Sequence, residues 1–278
     1  MSNTSVLTPA QKARLWIDAN LLGRLSPTIT ILAYLFLFIP IVVLIVYSFN
    51  ASRSTVVWSG FTLDWYGEVF ADRGLRRALG VSAVIALASA LISTAIGALT
   101  ALAIVRRRFV GRDALSTLLL APMVLPEIVM AVALLVFMVA INVTLGYFTM
   151  IVGHVLISVP FATLIVRAAA ASLDRRLEEA AADLGANEWQ IFWRVTFPLL
   201  LPPIVTAFLL AATLSFDNFV MSTFTSGVGT TPLPLRIYSM LKLGITPEIN
   251  ALGALMVLLN VFFVVVVMGR HLSLLLRK

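Results

Sequence analysis

Glu127 and Asp217 stand inside long runs of apolar residues, Glu127 in the stretch from Ala114 to Ile141 and Asp217 in that from Pro198 to Phe224. An ionised carboxylate deep in a hydrocarbon layer costs roughly 3 kcal/mol or more, so an acid at such a position marks a pathway or binding site by default. The chemistry the two acids suit is attraction of a cation. Around them, Thr213, Ser215 and Asn218 offer neutral hydrogen bonds, and Phe216 and Tyr238 offer rings for an outer gate. Plain structural roles are open as well: Glu127 can hold a proton or cap a broken helix, Asp217 can pair with Arg236, and the two rings can pack.

Bond-making chemistry finds little support. Aspartyl catalysis needs two facing carboxylates, and Glu127 with Asp217 is the one conceivable pair, with no catalytic motif around either. There is no H-e-x-x-H pattern and no cysteine, which removes zinc-protease chemistry, thiol nucleophiles and disulfides. His154 lies alone in an apolar stretch, without a second His or acid at i+3 or i+4, and reads as an interhelical hydrogen-bonding group. No catalytic or metal-ligating residue is expected, and an intramembrane enzyme stays only as a remote alternative.

The elements that must position these groups are membrane helices. With 60% hydrophobic and 12% charged residues and a mean hydropathy of +1.03, the chain carries more apolar surface than a 278-residue globule can bury. Crossing the hydrocarbon as a helix takes about 20 apolar residues, because backbone N–H and C=O groups must pair within the segment. Six stretches qualify: 29–49, 79–105, 114–141, 145–166, 198–224 and 247–268. The expectation is an all-α membrane protein with a polar N-terminal segment, 1–28, and a transmembrane domain, 29–278. The first apolar stretch lacks a small-residue cleavage site after it and is expected to stay as span one. The net charge of +7 is concentrated on one side, with Arg106, Arg107, Arg108, Arg112, Arg167, Arg175 and Arg176 in loops that fall together if both termini are cytoplasmic. That bias speaks for membrane orientation rather than nucleic-acid binding.

Within this frame, Pro122 and Pro126 predict a kink or broken stretch in span three, tolerated only where protein or a water-filled cavity covers the freed backbone. The loop from Asn50 to Ala78 holds Trp58, Phe61, Trp65 and Tyr66, read as headgroup-level anchors in preference to a docking surface. Pro234 is placed to open a short helix and Gly244 to close it, and Pro247 to start span six. Between spans four and five, residues 174–197 break the apolar pattern. Asp174 to Leu184 is alanine-rich and polar, Gly185 ends it, and Asn187 with Gln190 makes a capping box for a second helix. Small Ala180 and Ala181 permit close approach, and Glu178, Glu179 and Asp183 supply charge around them. The segment suits docking in a groove of a partner, with a solvated connector as the alternative.

The spacing Glu179-Ala180-Ala181, three residues, Gly185, nine residues, Val195-x-Phe197-Pro198 resembles the EAA motif of membrane subunits of bacterial ABC importers, with Val and Phe for the usual Ile and Leu. Residues 121–127, 213–220, 233–240 and 247–252 look like the second permease subunit of the spermidine/putrescine group. What the resemblance implies is a type I importer permease of the bacterial inner membrane, with 174–197 as a cytoplasmic coupling helix. Glu178, Glu179, Ala180, Ala181, Asp183, Gly185 and Pro198 are then the coupling residues. It also implies partners: cytoplasmic ATPase subunits that bind ATP and Mg, a second related permease, and a periplasmic or lipid-anchored solute-binding protein. Polyamine is the leading cargo, with an amino-acid-derived or betaine-like cation next and ferric iron behind. The group commonly has paired acids where this chain has Asp217-Asn218.

Overall fold

The computed structural model describes residues 8–53, 57–244, 246–259 and 261. They fall into two units, one made of the chain up to Ala71 together with the part from Gly244 onward, the other of Asp72–Leu243.

In the first unit, α1 (Pro9–Tyr47) and α2 (Asp64–Ala71) are followed, at the far end of the sequence, by α12 (Pro247–Leu259). The side chains from Ile29 to Val43 on α1 are exposed almost without interruption, which is the pattern of a helix whose solvent is lipid or another protein. After α1 the chain knots around Asn50. Its side chain donates to the Val57 carbonyl at 2.8 Å and accepts from the Ser59 N–H at 3.0 Å, while its own carbonyl accepts from the Trp65 indole at 2.7 Å. Phe49 stacks on Phe61 at 5.2 Å and Tyr66 meets the Ser48 hydroxyl at 2.7 Å. Trp65 is therefore a core residue of this knot, a correction to its reading as an anchor, whereas Trp58 and Phe61 stay exposed. α12 begins at Pro247, as expected, and packs Gly253 against Leu44 of α1. Apart from Val261, the rest of the sixth stretch lies outside the described residues, as do the side chains of 9–26.

The second unit is built on three long helices, α3 (Arg73–Arg106), α6 (Tyr147–Ser172) and α9 (Phe197–Phe216). Their closest approaches are made by small residues. Ala101, Ala162, Val166 and Ala207 form one buried cluster, and a Cβ on Gly97 would stand 2.7 Å from that of Ala162. Close backbone approach of this kind is how helices associate where no hydrophobic difference from lipid drives them together. Asp72 caps α3, accepting from the Gly74 and Leu75 N–H groups at 2.6 and 3.3 Å.

Two of the long stretches are interrupted. The expected third span is split into α4 (Arg112–Val124) and α5 (Glu127–Ala140), which meet at 105°. Pro126 disfavours the helical conformation for Leu125, whose ψ is 139°, so of the kink or broken stretch expected here the chain takes the break and turns a corner. The fifth stretch differs at both ends. Its helix does not start at Pro198: α8 (Glu188–Ile191) runs through a π turn, Phe192–Thr196, straight into α9. The wider π turn relieves the clash that a proline ring otherwise makes with the carbonyl four residues back. At the other end α9 stops at Phe216, and a separate helix, α10 (Val220–Thr225), follows after Asp217–Phe219. Of the remaining short helices, α7 is Arg176–Asp183 and α11 is Leu233–Leu243, with Gly244 at φ +127° after it. Among the described residues, four helices are long and apolar enough to cross a membrane, or five if the bent pair counts as one span.

Candidate functional site

The two helix interruptions meet. Glu127 is the first residue of α5, immediately after the corner, and Asn218 lies in the α9–α10 break, 91 positions later. The Asn218 amide donates to a Glu127 carboxylate oxygen at 2.6 Å, and its own carbonyl oxygen accepts from the Met221 N–H at 2.8 Å. Asn218 thus caps α10 and holds Glu127 at once. Discontinuous helices that bring carboxylates and helix ends to one place form the substrate sites of many transporters. Asp217 is exposed beside this junction and none of the ion pairs among the described residues involves it. Arg236 goes elsewhere, to Asp72 at 3.4 Å, so the Asp217–Arg236 pairing is not formed.

The other expected path residues separate into two groups. Thr213 is exposed on α9, its hydroxyl spent on the Leu209 carbonyl at 2.9 Å. Ser215 is buried and faces the helix packing rather than an opening: it bonds His154 Nδ1 at 2.6 Å and receives the Ser89 hydroxyl at 2.8 Å. Phe216 ends α9, and the ring that meets Tyr238 is Phe219, at 4.9 Å and 57°. Lys242 lies 4.7 Å over the Tyr238 ring. The rings of 219 and 238 replace the expected pair of 216 and 238, because the break after Phe216 turns the following residue set by an unpredicted amount.

Asp72 has a displaced pKa. Burial alone raises it, but hydrogen bonds from the Gly74 and Leu75 N–H groups and from Arg236 outweigh that and hold the carboxyl below its ordinary value.

The central polar segment has the expected local form. Gly185 sits at φ +85° after α7, where a Cβ would be strained though no atom lies in its way. Asn187 and Gln190 make the capping box reciprocally at 2.9 and 3.0 Å. Glu179, Ala180, Asp183, Leu184 and Gly185 are exposed, with Leu184 at 90%, while Ala181 is half-buried. Glu178 differs from its neighbours: it forms an ion pair with Arg106 of α3 at 2.8 Å and accepts from the Thr196 hydroxyl at 2.7 Å. It is a clamp between the elbow and the helices, and Arg107 with Glu188 at 3.3 Å makes a second, exposed tie. Pro198 lies within the continuous α8–α9 helix, exposed. An apolar groove of about 590 Å³ runs between α3 and α9, lined by Leu91, Leu99, Trp189, Phe192 and Trp193 among others. Among the described residues, no cluster of His, Cys, Asp and Glu could hold a metal ion.

His154 is the interhelical hydrogen-bonding group expected, on Ser215 and Ser222; what sequence reasoning missed is which partners it takes and that Asn218 is a joint to Glu127. These partners are 61 to 91 positions away, and no spacing rule links a serine on one apolar helix to a histidine on another.

The model of the family described as "Binding-protein-dependent transport system inner membrane component" matches residues 93–275. The chain is 41% identical over 232 residues to the spermidine/putrescine transport system permease protein PotC of Haemophilus influenzae, covering 84% of this chain and 90% of that one. It is 36% identical over 234 residues to the putrescine transport system permease protein PotI of Escherichia coli K12, covering 82% and 83%. A bacterial ABC transporter involved in alginate import contains a chain that superposes with a TM-score of 0.69 at 21% identity, over 95% of this chain and 100% of that one. The MetNI methionine ABC transporter gives 0.53 at 19% identity, over 76% and 97%.

Proposed function

Because the chain belongs to the binding-protein-dependent transport system inner membrane component family, we propose that it is the membrane-spanning permease subunit of a heteromeric ABC importer whose cargo is a polyamine. The observation that carries the cargo is the identity to permeases named for spermidine and putrescine, over more than four-fifths of the chain. Fold alone does not select it, since importers of alginate and methionine share the architecture. The chain has no G-x-x-x-x-G-K-[ST] loop, and ATP with its Mg is bound and hydrolysed by a partner subunit.

In this reading the domain from 29 to 278 crosses the inner membrane six times, with both termini and the 174–197 elbow cytoplasmic. The clustering of arginines at 106–108, 112, 167, 175 and 176 supports that orientation. The elbow docks on the ATPase through Glu179, Ala180, Asp183 and Gly185, with Ala181 beneath them and Pro198 at the start of the span it moves. Glu178 contributes from inside, by fixing the elbow to α3. A second, related permease completes the path, and a periplasmic or lipid-anchored binding protein delivers the cargo. Alternating access then opens the path to each side as the ATPases close and part. Glu127 and Asp217 attract the ammonium groups, Asn218 and Thr213 add neutral hydrogen bonds, Ser215 supports them from behind, and Tyr238 with Phe219, beside the expected Phe216, flanks the outer end.

A single acid at 217–218 favours one second reading within the class, a cargo with fewer positive charges such as an amino-acid-derived or betaine-like cation. Calorimetric titration of the cognate binding protein separates the two. Tight binding of putrescine or spermidine is expected, and absence of both with binding of a betaine-like solute would reassign the cargo. Coupling is tested by replacing Glu179 and Gly185 together: ATPase stimulation and uptake are lost while membrane insertion persists, and full uptake would remove the elbow from the mechanism.

A further inference from the structure

The α9–α10 break is bridged from outside by one residue that the transport reading has not used. His154, on α6, is 2% exposed and uses both ring nitrogens: Nδ1 meets the Ser215 hydroxyl at 2.6 Å and Nε2 meets that of Ser222 at 3.1 Å. Ser215 is in the last turn of α9 and Ser222 in the first of α10, so the ring spans the interruption that carries Asp217 and Asn218. An imidazole donates from one nitrogen and accepts at the other, and two serines, each both donor and acceptor, satisfy either arrangement.

Neighbouring contacts show that α10 is seated against both α5, where Met221 packs on Met130 and Ala131, and α6. The Thr149 hydroxyl donates to the Thr225 carbonyl at 2.7 Å, and Gly153 lies so close to Met221 that a Cβ there would be 2.6 Å from its Cγ. On the α9 side, Ser89 of α3 donates to Ser215 at 2.8 Å, which ties that end to the bundle. Each end of the break is thus anchored in packed helices, and His154 is the side chain that ties the two anchors to each other.

We propose that His154 is a positioning residue for transport: by hydrogen-bonding Ser215 and Ser222 across the interruption, it sets the placement of Asp217 and Asn218 in the path. The statement about the break stands on geometry alone, and its consequence for uptake rests on the path reading above. If α10 rotates or withdraws, the Nε2 bond is lost, and if the end of α9 unwinds further, the Nδ1 bond is lost. The first change moves Asn218 away from Glu127, because the oxygen that accepts from Met221 of α10 and the amide that holds Glu127 belong to the same side chain.

The chain has no cysteine, so a single introduced one is its only thiol, and alkylation is read on this subunit after the importer's subunits are separated. Thr223 is exposed on α10, and Thr223→Cys in the assembled importer, in membranes, reports the seating of that helix through its rate of alkylation. His154→Leu, which removes both bonds, is expected to change that rate about fivefold or more and to raise the KM for putrescine uptake about tenfold, the scale of losing two buried interhelical hydrogen bonds. His154→Asn retains a polar atom where Nδ1 stands and should recover part of both values, and Ser222→Ala should shift the rate in the same direction by a smaller factor. Unchanged alkylation in His154→Leu overturns the proposal. Should that variant not reach the membrane, unchanged alkylation in both His154→Asn and Ser222→Ala overturns it equally. Asp217→Asn serves as the separate check: undiminished uptake there would remove the path reading and leave the alkylation rates to decide the role of His154.

Discussion

Replacing Arg106 and its partner Glu178 together should destabilise the elbow by less than the sum of the two single replacements. Arg106 and Glu178 stand 2.8 Å apart with side chains 16% and 25% exposed, and Glu178 also accepts from Thr196 at 2.7 Å. At an effective dielectric constant near 20, two unit charges at this distance attract by roughly 6 kcal/mol before desolvation is counted. Desolvation offsets most of that. Breaking a fully buried pair costs about 3–5 kcal/mol and an exposed one about 0.2–1, so a pair mostly out of water falls near 2 kcal/mol. Arg106→Met keeps the apolar stem and leaves Glu178 charged with only a hydroxyl beside it. We expect a loss of about 2 kcal/mol, or roughly 4–8 °C in apparent Tm for a chain of this size. Glu178→Gln should lose about 1–2 kcal/mol, since the Thr196 bond passes from a charged to a neutral acceptor. The double variant should fall short of the sum by about 1 kcal/mol or more. Thermal unfolding of the purified importer, followed by tryptophan fluorescence in detergent, gives the four values. Strict additivity, within about 0.3–0.5 kcal/mol, would show that the two side chains do not act as a unit and would refute the clamp.

Gly97→Ala should cost about 1–3 kcal/mol, because its Cβ would stand 2.7 Å from the Cβ of Ala162 and 2.9 Å from the Thr163 nitrogen, whereas Gly80→Ala, with nothing within 4 Å, should be neutral or stabilising; equal melting points for the pair would contradict the close α3–α6 packing. The carboxyl of Asp72 has a folded pKa below its ordinary value of 3.8, so the stability it adds is complete above that value and is lost as pH falls through the lower, folded one. Asp72→Asn should flatten the acid limb of a stability–pH curve, and an unaltered limb would assign it to other groups. Gly185→Ala forces a side chain to φ +85° at an estimated 1–2 kcal/mol, with no steric neighbour to add to it, so uptake should fall more than overall stability and Gly185→Asn should recover part of it. Glu179→Gln, at an exposed position, should leave the stability within about 0.5 kcal/mol of the parent and lower ATPase stimulation; a loss of stability with stimulation unchanged would make Glu179 a structural residue.

Much of the architecture is local and was legible as such. The membrane class follows from composition, because a chain this apolar has no aqueous fold that can cover it. The glycine-closed α7, the Asn187–Gln190 box and the helix opened near Pro234 depend on neighbours within a few positions, and each stands where its residues put it. Pro126 announced a disturbance but not a 105° corner, since the size of a bend is set by what packs on either side. Pro198 suggested a start, and the π turn ahead of it let the helix continue.

The candidate site divides in the same way. Glu127, Asp217 and Asn218 could be singled out one at a time, as polar groups where polarity is costly. That Glu127 meets Asn218, that Arg236 goes to Asp72, and that Ser89, His154, Ser215 and Ser222 join into one buried group are pairings across 61 to 164 positions. Hydropathy and spacing are properties of a chain read in order, and they fix which segments are helices and which groups within them need partners. Partner choice belongs to the packed bundle, where small residues at Gly97, Gly153 and Ala162 let backbones approach closely enough for particular side chains to meet.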